Sequence, residues 1–418
     1  MSSHPPRLAF VYHPRSFGTF ALAKAAERVC ELVWMVDTSV PEVGSMPRLL
    51  RRLGELVDIA GMSADDAAVS IAAARPDGIL SLKDSQLVWT ARVAQRLGLP
   101  FVSAEVAQRL TDKYAQRVAL RAAGLAVPGF WPVPETDDAP AWAALAAQAT
   151  FPALCKPRRG SGSRDVVRVQ SLEELRLAVL AGGPGTGPPQ DLLLEEYLRD
   201  RPGDEGRDFA GYVSVESIVS DGRTSHLAIT GRFPPAEPFR EAGFFIPSAL
   251  EQPERRAVLE LASAAIAALG VNLGCLHTEI KLTPDGPRVI ELNGRMGGGT
   301  PDMLAAVTDI DLLAIAMRLA LGERIVFDAM PPCSGVVYVR YAHAPTSMRT
   351  ISAVDGLERL REDPRVGQVV LNRGPGQDVD WREGNWGHVF SVHGVVSDHA
   401  ELEALARRIN SDTQIRGR

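Results

Sequence analysis

Cysteine is scarce: Cys30, Cys155, Cys275 and Cys333 are the only four in 418 residues. They lie far apart and form no CxxC pair. That argues against a disulfide frame or a zinc site, and for reduced thiols in a cytoplasmic protein. Positive charge is not in excess either. Lys and Arg total 45 against 51 Asp and Glu, a net charge of −6, so neither nucleic acid nor a membrane surface is expected as a partner. No apolar run has the length of a membrane span, and the opening residues MSSHPPRLAFVYHP lack the apolar stretch of a signal peptide. The dinucleotide fingerprint is missing, because the turn after the first apolar run reads HPRSFGTF, without GxGxxG. A P-loop is missing too: the glycine-rich GPGTGPPQ is not followed by Lys-Ser/Thr and reads as a linker. What is present is ordinary for a globular chain, 45% apolar and 23% charged. The length calls for about two to four domains.

The organisation changes along the chain. Residues 7–12, 31–37, 77–82 and 100–103 are short apolar runs separated by helical patterns, which predicts a parallel, doubly wound sheet. Thr111 is read as the cap of a helix ending at Gly124. A Pro-rich connection follows, then a strand, a glycine-rich loop and a strand in ATFPALCKPRRGSGSRDVVRV. From Asp191 the pattern becomes antiparallel, with one long helix in EQPERRAVLELASAAIAALG and another predicted over TPDMLAAVTDIDLLAIAMRLALG. The last part, from about Met330, reads as strands and a final helix. The expected units are therefore 1–105, 106–190, 191–328 and 329–418: one α/β domain, two α+β lobes and a small C-terminal α+β domain.

Chemistry concentrates in two apolar runs, LHTEIKL and RVIELN, joined by Thr-Pro-Asp-Gly-Pro. These are turn residues, so the runs form a hairpin. A hairpin symmetric about Asp285 puts Glu279 opposite Glu291, His277 opposite Asn293 and Lys281 opposite Val289. Facing Cβ atoms lie about 5 Å apart. Two carboxylates that close repel unless one takes up a proton or a cation lies between them. Asn293 adds a neutral oxygen on the same face. Two acids and an amide suit Mg²⁺, a hard ion that holds few protein ligands. Arg295 follows at the strand's end, placed to meet an anion.

With these residues in view, the chain resembles the ATP-grasp superfamily. The resemblance rests on Lys156 before a Gly/Ser loop, then LLLEEYL, then a strand ending Glu-x-Asn-x-Arg. LGCLHTEIKL and GRFPPAEPFREAGFFIPSAL are similar, more narrowly, to the L-amino acid ligases. The resemblance implies an ATP-grasp fold preceded by a Rossmann-like parallel-sheet domain. It implies ATP and two Mg²⁺ ions as cofactors, with Mn²⁺ as a substitute. It assigns Lys113 and Lys156 to the phosphates and Gly160, Ser161, Gly162 and Ser163 to a loop closing over them. Glu195, Glu196, Tyr197 and Leu198 form the adenine hinge, with Glu195 at the adenine amino group. The ribose acid is left among Asp204, Glu205, Asp208 and Glu216. Glu279, Glu291 and Asn293 hold metal. Arg232, Lys156 and Arg295 act on the reacting groups. Glu241, Phe244, His277, Arg295, Gly298 and Gly299 surround the substrate, with Phe244 as an apolar wall and Gly299 leaving space.

The implied activity is ATP-dependent amide formation between an amino acid carboxylate and an amine through an acyl phosphate, releasing ADP. The partners are small-molecule substrates, and homo-oligomer formation is left open. Ser214 and Cys275 are read as structural. The rivals are an ATP-grasp ligase acting on a non-amino-acid carboxylate, a carboxylase and a non-catalytic nucleotide sensor. No biotin attachment motif supports the carboxylase. The sensor should have lost a metal ligand or Arg295, and both are present.

Overall fold

The computed structural model describes residues 4–134, 138–180, 191–202 and 206–418. The GPGTGPPQ segment and the ribose candidates Asp204 and Glu205 lie outside the described residues.

The first sheet is parallel, in the spatial order Glu55–Asp58, Glu31–Val36, Arg7–Tyr12, Gly78–Ser81. Its two central strands are buried almost throughout, as helices on both faces of a parallel sheet require. The expected strand at 100–103 does not form. Ser103 instead caps the helix Ala104–Thr111, its hydroxyl accepting from Val106 N–H at 3.2 Å. Glu55–Asp58 takes the edge position. Its ELVD has only two apolar residues, too weak a pattern to announce a strand.

The second sheet is antiparallel, in the order Phe130–Pro132, Leu192–Glu196, Ala153–Pro157, Val167–Val169. LLLEE was expected to open the next lobe. It pairs instead with the Lys156 strand, so both belong to one small sheet. The Pro-rich connection contributes one of its strands and the helix Ala139–Ala146.

The third sheet has eight strands. The hairpin Gly274–Thr283/Gly286–Asn293 forms one edge, followed by Tyr212–Ser220, Arg223–Arg232, Gly243–Ile246, Val336–His343, His388–Val396 and Gln368–Leu371. Gly243–Ile246 is hydrogen-bonded to Val336–His343, so the sheet runs straight through the expected boundary at 328/329. The long helical pattern after the glycines is two helices, Thr300–Val307 and Leu312–Ala320. Asp311 starts the second, accepting from Ala314 N–H at 2.9 Å. Leu304, Val307, Met317 and Leu319 join Leu8, Trp34 and Leu80 in one apolar core, so the parallel sheet is packed onto the central body. After the last helix, His399–Asp412, the chain adds an unexpected strand, Gln414–Gly417, paired with Ile351–Asp355.

Candidate active site

The helix Lys113–Ala122 organises the site. Its cap is Asp112, not Thr111, which ends the preceding helix. The Asp112 carboxylate accepts from Tyr114 and Ala115 N–H at 3.0 and 3.3 Å. It is buried and also takes Arg158 in a fork, at 3.1 and 2.7 Å, and Arg159 at 3.1 Å. Burial pushes this carboxyl up, but the Arg158 hydrogen bonds and the other partners outweigh it, and it stays ionised below the usual range. One acid thus fixes the base of the glycine loop to the start of the helix.

Three residues at helical spacing then do different work. Lys113 Nζ lies 3.0 Å from Glu291 and donates to the Gly160 carbonyl at 3.0 Å. Gln116 pairs with Leu292 like a neighbouring strand: its amide donates at 2.9 Å and accepts at 2.8 Å. Arg117, fully buried, sits 3.1 Å from Glu195 and donates to the Ile290 carbonyl. The edge of the hairpin is thereby covered, and its backbone groups are paired.

The hairpin register puts Glu279 opposite Glu291 and His277 opposite Asn293, as expected. A bulge at Ile290 shifts the rest, so Lys281 faces Arg288 and not Val289. The bulge frees the carbonyl that Arg117 takes.

Glu279 and Glu291 line a cavity of about 500 Å³ between the small and large sheets, together with Lys113, Lys156, Glu195, Glu196, Tyr197, Leu198 and the Gly160–Ser163 loop. Glu241 lines it too. Arg117, Asp200, Lys281 and Asn385 are also at its wall, and none of these was foreseen. The Glu195 carboxylate stands between two buried cations at the cavity wall. Lys156 Nζ is 2.6 Å from its Oε2 and Arg117 Nε is 3.1 Å from its Oε1, which accepts no hydrogen bond. Lys156 and Glu195 are buried as a pair; burial, with Arg117 and Lys113 nearby, holds the lysine below its ordinary value, and Glu195 offsets this only in part.

The remaining expected residues form a closed polar layer next to the cavity. His277 Nδ1 lies 2.8 Å from Glu216, and its Nε2 lies 3.4 Å from Glu279 and 3.2 Å from Arg232. Burial pushes the imidazole down, but Glu216 outweighs it and raises it to about 9. Glu216 was expected at the nucleotide. It is buried instead, with Ser214 and Thr230 hydroxyls donating at 3.1 Å and Gly297 N–H at 3.4 Å, and it serves as the anchor of His277. Arg232 pairs with Glu241 and donates to Ser214 at 2.9 Å. Asn293 is buried beside the acid pair and away from the cavity wall. Arg295 turns to Asp84 of the first domain, at 3.0 Å, and not into the cavity. Its charge is still felt at Glu279. Burial raises that carboxyl, but His277, Arg232 and Arg295 together hold it down to about 2.

The glycines divide by role. Gly299 has φ +74° and precedes the helix, so it serves the turn. A side chain on Gly297 would strike Thr300 and come within 2.8 Å of His277. Only Gly298 faces open space. Phe244 packs on Tyr341 and close to Gly299, not against the cavity. Of the ribose candidates, Asp208 pairs with Arg407 on the surface. Asp200, paired with Lys281, lines the cavity, although the sequence did not single it out for the ribose.

Among the described residues no three His, Cys, Asp or Glu side chains cluster as a metal site. The facing pair Glu279 and Glu291 nevertheless fits a hard divalent ion. Both are oxygen donors at the wall, the Glu279 carboxyl is held ionised, and the nearest cations, Lys113 and His277, sit beside the pair.

A small lobe and a large sheet enclosing this cavity, behind a parallel-sheet domain, define the ATP-grasp fold, and the chain has it. The L-amino acid ligase from Bacillus licheniformis superposes with a TM-score of 0.76 over 100% of both chains, at 21% identity. Carnosine synthase 1 of Gallus gallus is among its homologues, 29% identical over 308 residues, which is 68% of this chain and 32% of that protein. So is alanine–anticapsin ligase of Bacillus subtilis, 26% identical over 239 residues, 54% of this chain and 48% of that one. The chain thus matches about a third to a half of the length of these two relatives. No family model matches it.

Proposed function

We propose that this chain is an ADP-forming carboxylate–amine ligase that joins an amino acid to an amine, with a second amino acid as the natural acceptor. The facing carboxylates Glu279 and Glu291, in one cavity with Lys113, Lys156 and the Gly160–Ser163 loop, carry the reading. The names of the relatives, carnosine synthase and alanine–anticapsin ligase, support amino acids as the substrates.

ATP lies between the sheets, its adenine at the backbone of Glu196–Leu198 and its phosphates at Lys113 and Lys156. Backbone N–H groups of the glycine loop approach the terminal phosphate, as small residues permit. Glu279 and Glu291, with Asn293 behind them, would hold Mg²⁺, which when bound offsets charge on the phosphates. A substrate carboxylate oxygen attacks the γ-phosphorus, and ADP leaves. The amine nitrogen of the second substrate then attacks the acyl carbon; phosphate leaves, and the amine loses its proton. Glu241 accepts a hydrogen bond from the amine of the second amino acid. Arg232 and Arg295 make the adjoining layer positive, where the acyl oxygen gains charge. The loop excludes water from the acyl phosphate. A cytoplasmic setting, where ATP is abundant, completes the reading; no described helix is long and apolar enough to cross a membrane.

Pooled amino acids with Mg²⁺ and ATP should release ADP and phosphate. Release of AMP and pyrophosphate would reject the reading. Glu291→Gln should cut ADP release by about 100-fold or more, the scale of losing a preorganised charge contact, with an unchanged melting curve. A folded variant of normal turnover would remove Glu291 from the reaction.

A further inference from the structure

The C-terminal region reaches the cavity through the short helical turn Trp381–Gly387. Asn385 sits at its tip. Its side-chain oxygen accepts from the backbone N–H of Glu241 at 2.8 Å, and its own backbone N–H donates to the Gly162 carbonyl at 3.2 Å. One residue therefore touches both the segment carrying the substrate acid and the loop that closes over the phosphates. The approach to the loop is backbone on backbone. A side chain on Gly384, whose φ is +63°, would meet the Gly162 carbonyl at 2.5 Å and Arg164 at 3.1 Å. Trp386 lies over the same glycine, its indole nitrogen 3.3 Å from where a Gly162 Cβ would be. The turn is itself held. Asp380 caps it, Glu383 pairs with Arg373, and His388 Nδ1 lies 3.1 Å from the Asn385 carbonyl. Glu241 is gripped at its other groups, its carbonyl by His343 at 2.8 Å and its carboxylate by Arg232.

We infer that Asn385 is a positioning residue that couples amine binding at Glu241 to closure of the Gly160–Arg164 loop. The inference rests on the ligase reading and adds to it the link between the two half-reactions. If the loop is held only while the Glu241 segment is in register, amine binding and closure favour one another reciprocally. The consequence is chemical. In coupled turnover the amine nitrogen takes the acyl group and phosphate leaves. With the loop loose, water takes it instead. The acyl phosphate then returns to carboxylate and phosphate, and ATP has been converted to ADP without an amide.

The test is Asn385→Ala in the full chain, with ADP and amide product measured in the same reaction. Wild type should give equal amounts. The variant should raise the ratio of ADP to amide severalfold and raise KM for the amine, with little change in KM for ATP and a native melting curve. A purely structural role would lower both products together. An unchanged ratio and unchanged amine KM in a folded variant would overturn the inference. A second measurement needs no turnover. Trp386 fluorescence, isolated by difference from Trp386→Phe, should respond to a non-hydrolysable ATP analogue with Mg²⁺, and less so in Asn385→Ala. An equal response with and without the substitution would also overturn it. Wild type that makes no ADP with any amino acid would sink the ligase reading, while the fluorescence comparison would still decide the coupling.

Discussion

Arg117 is the residue on which two sheets depend. It is fully buried on a helix and bridges Glu195 of the small sheet to the Ile290 carbonyl of the large one. Burying a guanidinium is costly and is offset only when its partners are in place. Arg117→Met should leave the Ile290 carbonyl without a donor and Glu195 with Lys156 alone. Breaking such a pair costs about 3–5 kcal/mol, so a large fall in denaturant midpoint is expected, with ATP affinity falling alongside it. Stability within about 0.5 kcal/mol of wild type, the range of ordinary surface changes, would show the bridge to be incidental. The sequence did not announce this residue. An arginine at the fifth position of a helix normally reads as solvated, and only the fold reveals that both sheets close over it.

At the scale of elements, the turn from the Gly286–Asn293 strand into the Thr300–Val307 helix has three glycines with three different reasons. Gly297 gives room to His277 and Thr300, Gly299 supplies a left-handed backbone, and Gly298 borders open space. Gly297→Ala should therefore lower the melting temperature and disturb the His277–Glu216 pair. Gly298→Val, at an exposed position away from the cavity wall, should leave folding and nucleotide binding nearly unchanged, as a melting curve and ATP affinity would show. If Gly297→Ala proved neutral and Gly298→Val unfolded the chain, the assignment would be reversed. The triple glycine stands out in the sequence, but which member faces space depends on backbone torsions and on His277 from another strand. The hairpin is the opposite case. Its turn chemistry and period-two alternation were enough to pair Glu279 with Glu291, because a symmetric turn sets the register locally. The register failed only beyond Ile290, where the bulge answers to Arg117 on a distant helix.

For the whole molecule, acid should be the sensitive direction. Burial, with further help from neighbouring cations, pushes His343 down to about 4, against an ordinary value of 6.5. Burial likewise lowers His13, His226, His388 and His393. A depressed histidine takes its proton first in the unfolded chain. Their contribution to stability is therefore full above about pH 6.5 and falls as pH drops toward 4, whereas His277, raised to about 9, acts in the opposite sense and loses its contribution as pH climbs through 9. For His343 alone the loss toward acid is on the order of 3 kcal/mol. His343→Gln keeps a donor for the Glu241 carbonyl and cannot titrate. Melting curves from pH 7 to pH 5 should be flatter for this variant than for wild type. Equal slopes would show that His343 is not part of the acid response.

Read alone, the sequence determined what depends on neighbours along the chain. That covers the buried runs of the parallel sheet, the Lys156 strand with its glycine loop, and the facing acids of the hairpin. Each has a period, a cap or a turn that acts over a few residues. It misplaced what depends on competition between distant segments. The strand at 100–103 yielded to a helix cap, LLLEE joined the small sheet, and the sheet crossed residue 328 into the C-terminal region. Tertiary structure alone decided the partners of charge. Glu216 became the anchor of His277, Glu195 the counter-ion of Lys156 and Arg117, and Arg295 the partner of Asp84. A charged group buried on folding must find its partner wherever the packed chain supplies one, and no local pattern carries that information.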